Sequence, residues 1–107
     1  MTNVRLVFEF VDGDKTLVCT RYASVDFTPF LGMPYMDKEL IGAFGIWEKS
    51  QVFFVSSVVW VTRDDIDSLE VELDLPEENE VELLGNDFDA AKERIDDLLF
   101  WEVGVES

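Results

Sequence analysis

Val4, Leu6, Phe8 and Phe10 recur at every second position, with Arg5 and Glu9 among the residues between them. A period of two predicts a half-buried strand over residues 4–11. Asp12-Gly13 follows at once, and then a run rich in β-branched residues over 15–22. An Asp-Gly pair between two such runs predicts a hairpin, because the tight turn requires positive φ. The pattern breaks over residues 23–39, where Pro29, Gly32 and Pro34 predict a long loop with room for a helical turn. Over residues 40–47, Gly42 and Gly45 weaken any helix, so a short bent strand is expected there.

Residues 51–63 are apolar on both faces, with Val52, Phe54, Val58 and Trp60 against Phe53, Val55, Val59 and Val61. A strand covered on both sides reads this way, so this one is expected at the sheet centre with Trp60 in the core. Ser56-Ser57 marks an expected bulge. Leu69, Val71, Leu73 and Leu75 then alternate with Glu70, Glu72 and Asp74, predicting an amphipathic strand. A turn at residues 76–79 and a short return strand over 80–84 follow. Asn86 or Asp87 is the expected cap of a helix. At 100° per residue, its core stripe is Phe88, Ala91, Ile95, Leu98 and Leu99, after which residues 100–105 run extended.

These elements predict one α+β domain over residues 1–107: a mainly antiparallel sheet of about five strands with one C-terminal amphipathic helix packed on it. Fourteen aromatic side chains in 107 residues supply a core and argue against disorder, despite a net charge of −16. The longest nearly apolar stretch, residues 52–61, is too short for a transmembrane helix. A cytoplasmic protein is the expectation. The single Cys19 excludes an internal disulfide framework and suits a reducing compartment.

The charge is distributed unevenly. Residues 1–63 carry seven acids and six bases, net −1, whereas residues 64–107 carry seventeen acids against Lys92 and Arg94, net −15. The chain therefore divides into a near-neutral β half and a strongly acidic hairpin-plus-helix half. Several of these acids oppose folding. Glu70, Glu72 and Asp74 would line one strand face at intervals of about 6.8 Å. Glu80 and Glu82, if on the neighbouring strand, would face them, and like charges paired across strands destabilise. On the helix, Asp89–Glu93 and Glu93–Asp97 are like-charged i,i+4 pairs, and Asp96 and Asp97 sit where the helix dipole favours cations. Charge placed against stability points to a partner of opposite sign, because negative surface potential accelerates association with basic proteins. A merely solvated face and salt adaptation are the competing readings, and the near-neutral first half argues against the second.

Catalytic constellations are scarce. The chain has no His, which removes His-based triads, His metal sites and the usual acid–base residue near neutral pH. Cys19 lies in a predicted strand and reads as a small core residue. Gly42-Ala43-Phe44-Gly45 lacks the Lys and the spacing of a phosphate loop. Asp12-Gly13-Asp14 is a turn rather than half a calcium loop, and Asp64, Asp65 and Asp67 read as a polar loop. No enzymatic activity, cofactor or metal is expected.

The resulting expectation is an acidic inhibitor that binds and neutralises a basic nucleic-acid-acting protein, as the immunity protein of a nuclease toxin. The alternatives are a phage-type DNA mimic directed at a DNA- or RNA-binding defence protein, and a structural or adaptor subunit that pairs with another copy. Expected partner-binding residues are Glu70, Glu72, Asp74, Glu77, Glu78, Glu80, Glu82, Asp89, Glu93, Asp96 and Asp97, with Trp101 as a candidate aromatic anchor. Direct contact with nucleic acid or a membrane is not expected, and a monomer is favoured in the bound state. If hairpin and helix acids share one face, they can fill a single cationic cleft.

Overall fold

The computed structural model describes residues 1–43, 53–75 and 88–106. Their strands are β1 (Thr2–Asp12), β2 (Lys15–Val25), β3 (Pro34–Tyr35), β4 (Phe53–Arg63), β5 (Ile66–Asp74) and β6 (Glu102–Glu106). Two helices accompany them, α1 (Lys38–Ala43) and α2 (Phe88–Asp96). The sheet runs β3-β4-β5-β1-β2-β6, antiparallel throughout except that β1 and β5 are parallel. The architecture is mixed α and β, as the alternation of hydrophobic positions predicts. Among the described residues there are six strands where about five were expected and two helices where one was expected, and α2 is followed by an edge strand.

Both hairpins form with two-residue turns. Gly13 adopts φ +63° between β1 and β2, the conformation for which the Asp-Gly signal selects. Between β4 and β5, Asp64 and Asp65 both have positive φ, 50° and 63°. Positive φ at both central residues is the backbone of a type I′ turn, and Asp tolerates it better than most residues.

The core lies on one face of the sheet. Val4, Leu6, Phe8 and Phe10 of β1, Leu17 and Cys19 of β2, Val55 and Phe53 of β4, and Val71 and Leu73 of β5 are all buried there. Ala91 and Ile95 of α2, Leu40 of α1, and Trp101 close over them. Phe8 and Phe53 meet edge to face at 4.9 Å between ring centroids. The α2 stripe is as expected at Ala91, Ile95 and the partly buried Leu98, but the helix ends at Asp96 and Leu99 is 84% exposed. The side chain of Phe88 lies outside the described residues, as do the expected return strand over 80–84 and the cap at Asn86 or Asp87.

Two further expectations are overturned. Residues 40–43 are helical rather than a bent strand, because Asp37 caps α1: its Oδ1 accepts the Leu40 amide at 3.1 Å. Residues 44–47 of that expected strand lie outside the described residues. Secondly, β4 is not central. It lies between β5 and the two-residue β3, and Trp60 is 71% exposed. The central strand is β1, flanked by β5 and β2. The bulge expected at Ser56-Ser57 is present, as a register shift between Val55 and Ser57.

Candidate functional site

Residues directly opposite one another in neighbouring strands share a face, so the register maps the side of the sheet turned away from the core. One row is Tyr22–Arg5–Glu70–Val59. The next is Glu102–Thr20–Val7–Glu72–Ser57. Beyond it Asp74 faces Phe54, and Glu9 follows Phe8, whose partner Leu73 precedes Asp74. Glu106 opposite Thr16 lies at the far end. The open face therefore gathers Glu9, Glu70, Glu72, Asp74, Glu102 and Glu106. Its basic groups among the described residues are Arg5 and, at the β4 end opposite Ile66, Arg63.

Arg5 is already engaged, in an ion pair with Glu70. Glu9, Glu72, Glu102 and Glu106 are solvent-exposed, and no described helix packs on this side. The strand neighbours of the β5 carboxylates are not the acids expected from the sequence. Both edges of β5 are occupied, by β1 and β4, which set Arg5 beside Glu70 and Val7 beside Glu72. Glu77, Glu78, Glu80 and Glu82 lie outside the described residues.

The second acidic stripe is elsewhere. Since Ala91 and Ile95 turn into the core, the exposed Asp89, Glu93, Asp96 and Asp97 face outward from the helical layer. The β5 carboxylates point the opposite way, alternating with the buried Val71 and Leu73. Sheet and core separate the two stripes, so a single cleft cannot be filled by both. The helical stripe is also partly neutralised, with Lys92 bonded to Asp96 at 3.2 Å.

Trp101 belongs to neither surface. It is 3% exposed, and its indole N–H donates to Asp37 Oδ2 at 3.0 Å. The same oxygen accepts the Tyr35 hydroxyl at 3.0 Å and Arg21 Nη1 at 3.1 Å. With the Leu40 amide, Asp37 thus receives four hydrogen bonds. Burial alone would push the Asp37 carboxyl up, but the donors of Leu40, Trp101 and Tyr35 and the charge of Arg21 outweigh it and hold it below the ordinary carboxylate range. Burial and the neighbouring Asp37 charge push the Tyr35 hydroxyl well above its ordinary value. The Arg21 guanidinium also lies over the Phe100 ring, 5.2 Å from its centroid.

This node forms one wall of a cavity of about 510 Å³ between the sheet and residues 25–39. The remaining lining is largely apolar, including Val4, Ala23, Val25, Met33 and Phe100. Elsewhere, burial pushes the Cys19 thiol up to about 12, as befits a core residue. Asp67 accepts the Thr62 hydroxyl at 2.7 Å, and no three His, Cys, Asp or Glu side chains gather as a metal site among the described residues. No described helix is long and apolar enough to cross a membrane.

Sequence reasoning missed Asp37, although an Asp directly before Lys38-Glu39-Leu40 is an N-cap signature. It also missed Glu9, Glu102 and Glu106 as neighbours of the β5 acids. Their alternation with apolar residues was visible, but the strand order that joins them was not. Comparison with protein-family models, curated proteins and solved structures gives no significant match to this chain.

Proposed function

We propose that the protein is an acidic, non-enzymatic inhibitor whose open sheet face binds a basic nucleic-acid-acting protein, as the immunity partner of a nuclease toxin. The observation that carries this reading is the set of six carboxylates spread over three strands of a face on which no described helix packs, with Arg5 paired to Glu70. Carboxylates on a sheet keep a fixed spacing, about 4.8 Å between strands and 6.8 Å between alternate residues. Such an array offers Lys and Arg side chains a rigid substitute for phosphates, and its field steers a basic partner to the encounter. The α2 stripe, smaller and partly paired with Lys92, lies on the other side and is not the contact surface.

The test uses two charge-reversed variants, each checked for folding by circular dichroism. One carries Glu9→Lys, Glu72→Lys and Glu102→Lys on the open face; the other carries Glu93→Lys and Asp97→Lys on α2. Captured from the source lysate, a basic nuclease or nucleic-acid-binding protein should be retained by native chain and helix variant and lost by the sheet variant. Its activity should fall when native chain is added. Equal retention by all three, or loss only with the helix variant, overturns the reading.

A further inference from the structure

The two edges of the sheet are treated differently. β6 closes one side, and its exposed Glu102 and Glu106 guard that edge with charge. On the other side, β3 covers β4 only at Phe53 and Phe54, and at Val55 the Gly32 amide donates to the Val55 carbonyl while the Val55 amide donates to the Met33 carbonyl. Beyond that point no described backbone group pairs with the outer edge of β4. This run, residues 57–63, without a described edge partner, holds no charge until Arg63 at its end. Trp60 is 71% and Val59 51% exposed on its two faces. Natural edge strands are normally blunted by charge, proline or shortness, because an open apolar edge is a template for another strand. Here the protection stops at the bulge.

We infer that the outer edge of β4 pairs antiparallel with the same edge of a second copy, joining two sheets about a twofold axis at Trp60. Antiparallel pairing of identical strands must centre on a residue, so that outward-facing backbone groups meet outward-facing ones. The middle residue of 57–63 is Trp60. That register sets Trp60 against Trp60 of the second copy, Val59 against Val61, and Arg63 against Ser57. Ser57 already neighbours Glu72 on β5. Arg63 of each chain therefore approaches a carboxylate of the other, a complementary charge contact within a surface otherwise neutral. An interface through the open sheet face or through α2 would press like charges together. This edge brings two chains together where neither is acidic. The twofold runs perpendicular to the sheet, so both open acidic faces look the same way. The pairing stands on the β4 edge and does not depend on what those faces bind.

Sedimentation equilibrium over a concentration series is the test. The native chain should dimerise, and more tightly as salt rises, because screening relieves repulsion between two net-acidic chains. A complex between the acidic face and a basic partner has the reverse salt dependence, so failure of one proposal is distinguishable from failure of the other. Trp60→Lys, at an exposed position, should raise the dimer dissociation constant roughly tenfold or more. A native chain that stays monomeric at every soluble concentration, or a dimer that Trp60→Lys leaves intact, overturns the inference. Should that variant fail to fold, Trp60→Cys decides. Opposed Cα atoms about 4.5–5.5 Å apart permit a disulfide, so mild oxidation should cross-link Trp60→Cys chains and leave an exposed control, Ser24→Cys, uncoupled. Equal cross-linking of the two also refutes the register.

Discussion

Replacing Asp37 by Ala should cost about 2–4 kcal/mol of folding stability, mostly through donors left in the core without an acceptor. The buried carboxylate receives four hydrogen bonds, but they are unequal. Trp101 is fully covered, so its indole N–H has nowhere to turn and accounts for about 1–3 kcal/mol. The Leu40 amide loses its cap, worth about 1 kcal/mol. Arg21 and Tyr35 are only part-buried and can be rehydrated, adding little. Urea unfolding at neutral pH reads the loss as a shift of midpoint at constant slope. Trp101→Phe, which removes one donor and leaves the carboxylate three, should cost only about 1 kcal/mol. The pH dependence is a second constraint. The folded carboxyl titrates below the unfolded value of about 3.9, so its contribution is complete above that pH and is lost as pH falls through the folded value. The gap between native chain and Asp37→Asn should therefore be constant from neutral pH down to about 4 and narrow below it. A loss under about 1 kcal/mol for Asp37→Ala, or a gap that widens in acid, would refute the reasoning.

Three further outcomes follow from the same structure. Asp65→Gly relieves a positive-φ residue in the β4–β5 turn and should raise the melting temperature by about 2–6 °C, an increment of about 0.5–1 kcal/mol in scanning calorimetry. Ala23→Val, in β2 on the cavity wall, should stabilise by about 1 kcal/mol if its added methyls fill that space, and a lower urea midpoint would show that they do not. Cys19 should resist a thiol-labelling reagent in the native state at neutral pH and react fully in denaturant; rapid native labelling would contradict a buried thiol raised to about 12.

Local rules reached most of the elements. Alternation at Val4–Phe10 and Leu69–Leu75 specifies which side of each strand is buried, since a one-residue slip would turn every apolar side chain outward. The Asp12-Gly13 turn and the spacing of Ala91 and Ile95 were equally readable, because φ preference and the helical repeat depend on neighbours along the chain. Where local and tertiary terms compete, reading failed. Gly42 argued against α1, yet the Asp37 carboxylate, held by Arg21, Tyr35 and Trp101, anchors that helix from outside it. Trp60 looked like core because its strand is apolar on both faces, but burial depends on which elements cover a strand, and β3 stops at Tyr35.

The sequence by itself determined the sign and location of the charge, the absence of His chemistry, and the alternation that gives β5 an apolar and an acidic side. These are properties of residue identity and of a period of two. Only the tertiary structure decided which strands are neighbours, and with them the site. The parallel pairing of β1 with β5 brings Arg5 to Glu70, places Glu9 next to Asp74, and extends an acidic row across to Glu102. The packing of α2 on the core face sends its carboxylates to the other side of the molecule. Strand order is set by contacts between residues tens of positions apart, which no local period encodes, and so the shape of the acidic surface could be read only once the sheet was assembled.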